Sequence, residues 1–314
     1  MKKLIIAAAM AGLMSSSAFA GAKIAVSMAK FDDNFLTVLR NGIQAHAKEI
    51  GVDVQIEDAG NDVAKQLDQI KNFAASGVTA IIVNPVDTSA TQAMSDAAAA
   101  AKVPLVYVNR QPVNVDTLPD NQAFVASNEA DSGTLETKQI CKLLAAAGKK
   151  EANIYVLQGE LSNQAAVQRT KDIHEVMAGP DCGVKLNIIA EQTANWSRDE
   201  AQNLMTNWLA SNKPFDAVIA NNDEMAIGVI NALKAAGRKP SDTPVGGVDA
   251  TQDALAAMAA GDLMATVFQN AAGQGSGSLD TAIKLSKGEK VDKKVYIPFE
   301  LVTPENIANY MKKN

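Results

Sequence analysis

Apolar and polar positions along the chain switch back and forth between two periods. Residues 23–28 form a short apolar run with strand character. Residues 34–50 then place Phe35, Leu36, Leu39, Ile43 and Ala47 on one helical face. The alternation continues with a strand at 52–57, a helix at 62–75 that holds Leu67, Ile70 and Phe73 in phase, and a strand at 80–83 stopped by Asn84-Pro85. A helix at 88–101 and a strand at 104–108 follow, then a loop rich in Asn, Asp and Pro at 112–121. Beyond it the rhythm restarts, with helices at 128–147, 164–177, 198–210 and 224–236 and strands at 154–158, 184–189, 217–220 and 244–248. Ser197 with Glu200 makes a capping box at the start of one of these helices. A strand at 263–268 and a helix at 271–287 complete the pattern. Continuous apolar strands between amphipathic helices are the mark of parallel sheets covered on both faces. The fold class is therefore α/β, with two units of similar design, each built on its own parallel sheet.

Composition narrows the function. A chain of 314 residues exceeds one compact core of usual size, and 47% hydrophobic with 20% charged residues is too apolar for disorder. A formal charge of -6 argues against a nucleic-acid partner, which needs a basic face. Residues 1–20 read as a signal peptide: Lys2 and Lys3, an apolar stretch at 4–14, and Ala18-Phe19-Ala20 as a cleavage site. The expected mature chain starts at Gly21, without a lipid-bearing cysteine, and is exported to the periplasm. Two cysteines and two histidines leave little for a metal site, and no cofactor is expected. In an oxidising compartment Cys141 and Cys182 form a candidate disulfide, with two separate buried thiols as the alternative.

In open α/β sheets ligands bind beyond the carboxyl ends of the strands. The residues there are Asp32, Asp33, Asn34 and Phe35, then Asn84, Asn109 and Arg110, and in the second unit Asn221, Asn222, Asp223, Asp249, Gln269 and Asn270, with Trp196 in the loop after 184–189. Singly, Asp and Asn at such places cap helices or make turns. As a set, carboxylates, amides and arginines beside aromatic rings suit a polyhydroxyl ligand, whose hydroxyls both donate and accept and whose C–H faces need flat apolar partners. Signatures of nucleotide binding and of a nucleophilic serine are missing. The glycines at 273, 275 and 277 read as close helix packing, and His46 and His174 as structural residues on helices.

Over nearly its whole mature length the chain resembles the periplasmic sugar-binding proteins of ABC importers, of the ribose and galactose/glucose type. The resemblance rests on Phe31-Asp32-Asp33-Asn34-Phe35, Asn84-Pro85-Val86-Asp87, Val108-Asn109-Arg110, Asn221-Asn222-Asp223-Glu224-Met225-Ala226 and Gly247-Val248-Asp249. It implies two lobes joined by a three-crossing hinge, an N-terminal lobe of 21–127 plus 270–298 and a C-terminal lobe of 128–269 plus 299–314, with the ligand between them. It further implies ligand contacts from Asp33, Phe35, Asn84, Asn109, Arg110, Arg169, Trp196, Asn222, Asp249 and Gln269. The chain departs from the galactose type at Asn163 and Ala165, where that type has a His and an Asp, so one end of the hexose site is missing. No calcium-loop pattern occurs between Thr117 and Asn128. The run of residues is most similar to myo-inositol-binding members.

The expected function is thus a solute-binding component of an ABC import system, not an enzyme, that takes a cyclitol or sugar by lobe closure, with myo-inositol as its ligand. Ribose or a galactose/glucose-type hexose is the alternative ligand. An enzyme using Asp33 and Asp249 as a glycosidase pair is the remote alternative. The implied partners are a membrane permease and, compatibly, a chemoreceptor; the chain is expected to be a monomer. Alanine at Arg169 or Asp249 is expected to weaken binding while sparing the fold, on the view that both lie in a solvated cleft.

Overall fold

The computed structural model of the protein describes residues 21–313. The signal peptide expected at 1–20 lies outside the described residues, as does residue 314. The first elements are β1 (Lys23–Met28), α1 (Asn34–Ile50), β2 (Asp53–Asp58), α2 (Val63–Ala75), β3 (Ala80–Val83), α3 (Thr91–Ala100), β4 (Leu105–Val108) and β5 (Gln122–Ala126). Next come α4 (Glu129–Ala146), β6 (Glu151–Gln158), α5 (Gln164–Ala178), β7 (Lys185–Thr193), α6 (Arg198–Ala210), β8 (Ala217–Ala220) and α7 (Asp223–Ala235). β9 (Val245–Gly246), α8 (Gln252–Ala259), β10 (Thr266–Phe268), α9 (Ala271–Ser286), β11 (Lys294–Tyr296) and β12 (Glu300–Val302) follow. None of the described helices is long and apolar enough to cross a membrane.

The first sheet is parallel throughout, in the order β2-β1-β3-β4-β5-β11. The second runs β7-β6-β8-β9, also parallel, and single bridges Gly246–Ala265 and Asp249–Phe268 set β10 alongside β9. β12 then pairs with β10 in the opposite direction. One strand order is used twice, and the lobes differ only in the direction of their last strand. The fold is α/β with two similar lobes. β3, β4 and β8 are buried at every position, as strands covered on both faces must be. Apolar clusters lie under α1 and α9 and under α2 and α3 in the first lobe, and under α6, α7 and α8 and under α4 and α5 in the second, with a smaller cluster of Val248, Val267 and Phe299 beside α4. The chain crosses between lobes after β5, after β10, and between β11 and β12.

Of the three glycines of α9, Gly275 makes the close helix packing expected of them, whereas Gly273 faces its own cap residue Asn270 and Gly277 has only ordinary contact with Val125 and Ile297. A Cβ on Gly275 would sit 2.8 Å from the Leu39 carbonyl oxygen, and one on Gly42 would sit 2.9 Å from the Ala272 Cα, so α1 and α9 meet backbone to backbone. Four elements go beyond the sequence reading. β5 starts directly on the loop at 112–121 and hides behind it. α8 is an Ala-rich single face of eight residues, and β11 and β12 have three residues each, too few to show a period. The strands expected at 244–248 and 263–268 shrink to Val245–Gly246 and Thr266–Phe268.

Cys141 on α4 and Cys182 in the loop before β7 form a disulfide, which settles the choice between bond and separate thiols. It closes a loop 41 residues apart in sequence, inside the α4–α5 core. Replacing both cysteines by alanine is expected to lower unfolding free energy by about 2–4 kcal/mol. Urea denaturation of the variant beside the wild type measures this, and an unchanged midpoint would show that the bond constrains nothing the core does not already hold.

Candidate functional site

Each lobe reverses its strand order once, between β1 and β3 in the first and between β6 and β8 in the second. Connections leave in opposite directions there, so a crevice opens beyond the strand ends. The two crevices share one cavity of about 40 Å³. Of the ten residues expected at the site, nine line it: Asp33, Phe35, Asn109 and Arg110 from the first lobe, Arg169, Trp196, Asn222 and Asp249 from the second, and Gln269 at the second crossing. The exception is Asn84. It lies fully buried behind the cavity wall, donating from Nδ2 to Asn109 Oδ1 (3.3 Å) and to the Val108 carbonyl (3.2 Å).

Capping and lining are done by the same side chains. Asp33 Oδ1 accepts from the Leu36 N–H at 2.9 Å and starts α1, which leaves Oδ2 for the cavity, 3.9 Å from Lys30 Nζ. Asn222 Oδ1 accepts from the Met225 N–H at 3.0 Å and starts α7, which leaves its amide nitrogen. Asn109, Trp196 and Asp249 all have positive φ (68°, 62° and 125°). Three non-glycine residues in the left-handed region around one cavity is strain collected at one place.

Arg169 is the hub. Only 4% exposed, it donates from Nε and Nη2 to Glu129 (2.8 and 3.0 Å), from Nη1 to the Asn221 carbonyl (2.7 Å) and from Nη2 to Gln269 Oε1 (3.4 Å). Four of its five N–H groups are thereby committed, and one on Nη1 remains, on the nitrogen 3.9 Å from Asp249 Oδ1. Burial works against its charge, but Glu129, with Asp249 and Glu136, outweighs burial and holds the guanidinium more firmly protonated than usual. Arg169 thus stands buried in the pocket wall, not in the solvated cleft expected around it. Arg110 is also buried, donating to the Pro85 carbonyl (3.0 Å), and burial lowers its pKa against the pull of Glu160 and Asp33.

The apolar surfaces come from Phe35 on α1 and Trp196 after β7. The Trp196 indole lies over Gly159, where a Cβ would fall 2.2 Å from the ring, and the Arg169 guanidinium sits 5.6 Å from the ring centroid. At the mouth the lobes touch: Asn34 donates to Glu224 Oε1 (2.8 Å), and the Thr88 N–H donates to the Ser162 carbonyl (3.1 Å).

Sequence reasoning missed Leu36 and Glu129 as lining residues, and treated Asn163 and Ala165 as a vacant end although both line the cavity. Asn163 sits at a strand-to-helix loop like the others, so the strand-end rule reaches it. Glu129 gave no signal, since an acid in the first turn of a helix is ordinary. His46 lies outside the cavity with Asp280 (2.8 Å), and His174 with Glu191 (2.8 Å). Among the described residues no group of three or more His, Cys, Asp or Glu side chains is placed to hold a metal ion.

Beneath the site several carboxyls share a dry interior. Burial pushes Asp223 up to about 7 against hydrogen bonds from Thr266 and Thr251, and pushes Asp172 up to about 7 despite one from Gln168. Burial also raises Asp249 and Glu136 well above the usual range, with Arg169 pulling the other way. Between pH 3.8, the ordinary aspartate value, and about 7, the folded chain keeps protons that the unfolded chain releases. Stability then falls as pH rises through that window. Ligand-free protein is expected to melt roughly 5 °C higher at pH 5 than at pH 7.5. A melting point at pH 5 equal to or below that at pH 7.5 would mean that these carboxyls are ionised in the fold.

Two lobes that share one polar pocket, with aromatic rings on its walls, define a small-molecule binding protein. The chain belongs to the periplasmic binding protein family, whose domain model matches residues 24–290. It is 62% identical, over the full length of both chains, to a protein of Rhizobium meliloti provisionally named as rhizopine-binding. It is 31% identical to the ribose import binding protein of Salmonella typhimurium, over 96% of this chain and 98% of that one. An ABC transporter solute-binding protein of Bacillus halodurans, solved with myo-inositol, superposes with a TM-score of 0.85 at 38% identity, over 93% of this chain and 98% of that one. The chain is a periplasmic sugar-binding protein of the ABC import type, not an enzyme.

Proposed function

We propose that this protein captures a cyclitol for an ABC import permease, with myo-inositol as the ligand, and that the lobes 21–127 plus 270–298 and 128–269 plus 299–314 close upon it. The observation that carries this reading is the distribution of chemistry around the cavity. A cyclitol has a hydroxyl on every ring carbon, so it needs polar partners around its whole edge and flat apolar surfaces above and below. Asp33, Asn109, Arg110, Arg169, Asn222, Asp249 and Gln269 supply the edge from both lobes, and Phe35 and Trp196 supply the faces. Contacts drawn from both lobes favour the closed state, so ligand and closure stabilise each other. The myo-inositol held by the Bacillus halodurans protein supports the same ligand class here. The ligand leaves unchanged, handed to the permease.

Titration calorimetry with myo-inositol, ribose, glucose and galactose tests the ligand, and small-angle scattering tests closure. Myo-inositol is expected to bind well below millimolar, with the three sugars much weaker and with a smaller radius of gyration at saturation. Tight ribose or galactose binding without an inositol signal overturns the cyclitol assignment, and saturation without compaction overturns closure.

A further inference from the structure

Glu160 stands just beyond β6, and its carboxylate is the meeting point of groups from both lobes. From the first lobe, Lys30 Nζ lies 3.5 Å from Oε1, Asn61 Nδ2 donates to Oε1 at 3.5 Å, and Arg110 Nη2 lies 3.8 Å from Oε2. From its own lobe, Asn163 Nδ2 donates to Oε2 at 3.0 Å. The side chain is only 12% exposed, so water competes weakly for these contacts.

What this does to Asn163 is specific. The Asn163 residue is 1% exposed and lines the cavity. Its amide nitrogen is committed to Glu160 and to Ser162 Oγ (3.3 Å), while its Oδ1 is buried with no hydrogen-bond partner in the protein. A carboxylate only accepts, so it fixes which end of the amide faces it: nitrogen toward Glu160, oxygen away. A buried oxygen without a partner is costly unless something donates to it.

We propose that Glu160 is a positioning residue that locks the Asn163 amide with its oxygen presented to the ligand, so that the site demands a hydrogen-bond donor at one ligand position, and that the same carboxylate ties this demand to lobe contact through Lys30, Asn61 and Arg110. This rests on the cavity's being a cyclitol site, as proposed above. The end of the pocket where a His and an Asp are absent is then a reading head for a single donor. Specificity at that position and closure are set by one group.

The test uses myo-inositol and the series in which each hydroxyl in turn is replaced by fluorine, which cannot donate. Affinities are measured by calorimetry for the wild type, Asn163→Ala and Glu160→Gln. At one ring position the wild type is expected to lose about tenfold or more on fluorination, and Asn163→Ala is expected to abolish that penalty while keeping the penalties at other positions. Glu160→Gln can donate to Asn163 Oδ1 and let the amide turn over, so the penalty at the same position is expected to shrink several-fold. A Glu160→Gln variant that loses affinity equally for every member of the series acts on closure alone and overturns the positioning role. An Asn163→Ala variant that retains every fluorine penalty overturns the acceptor. If the wild type gives no heat with myo-inositol, the cyclitol reading has failed instead. The same three proteins are then compared on the sugar that binds and its deoxyfluoro forms, where the same two outcomes decide.

Discussion

Replacing Arg169 by alanine is expected to weaken capture and the fold together. The expected loss is about 3–5 kcal/mol of unfolding free energy, the usual cost of removing one partner from a buried ion pair. The reason is what remains: Glu129 loses a two-point partner, and Asp249, Glu136 and Asp223 stay in the same dry interior with no guanidinium among them. Affinity is expected to fall more than about a hundredfold, since a charge-assisted contact is lost and Gln269 and the Asn221 carbonyl lose the donor that holds them. The deficit has a pH signature. Arg169 pulls the Asp249 and Glu136 carboxyls down against burial, so these two take up protons more readily in the variant and the stability gap to wild type narrows as pH falls from 7 to 5. Arg169→Lys is expected to lie between, because an ammonium cannot span both Glu129 oxygens while reaching the Asn221 carbonyl. A variant Arg169→Ala with wild-type stability would show that the buried cluster balances its charge without the arginine.

The second large effect comes from a residue with no side chain. Gly159→Ala places a methyl group 2.2–2.3 Å from three indole carbons of Trp196. The indole cannot yield along the chain, because Asn195 and Trp196 both hold left-handed backbone and the Ala194 N–H is bound to the Gln158 carbonyl at 2.9 Å. It must therefore swing off the wall and into the ligand's space. Binding is expected to weaken by about tenfold or more, with a loss of stability as well, since the Trp196 indole also packs against the apolar core of the second lobe. Tryptophan emission should shift in the ligand-free variant through Trp196 alone, because Trp208 lies stacked 4.4 Å from the Tyr155 ring in the core of the second lobe. Unchanged emission with unchanged affinity would mean that the indole does not form the wall.

The sequence carried most of this because the two periods of the chain are clean where both faces are buried. Apolar runs such as those of β3 and β8 cannot be solvated, and their ends had to be the site. Asn84 shows where that logic overreaches: it stands at a strand end like Asn109, but one layer behind, supporting the loop instead of facing the cavity. Nothing in a one-dimensional pattern separates the two layers. Glu129 and Gly159 were illegible for a different reason, because their importance lies in what approaches them from elsewhere, Arg169 from 40 residues on and Trp196 from the loop after the next strand. The disulfide was legible as a chance set by compartment, and only the position of Cys182 beside α4 made it a fact.

The third crossing has a consequence for how the protein is made. The first lobe is finished by α9 and β11, and β11 leaves the ribosome about 170 residues after β5. At ordinary rates of synthesis this is roughly 10–30 s during which β5 has an unpaired edge and α1 lacks the helix that fills its groove. The first-made half of the protein thus waits for the last-made part, and the nascent chain stays open for most of its own synthesis. For a chain bound for export, that delay leaves the translocation machinery a substrate not yet folded.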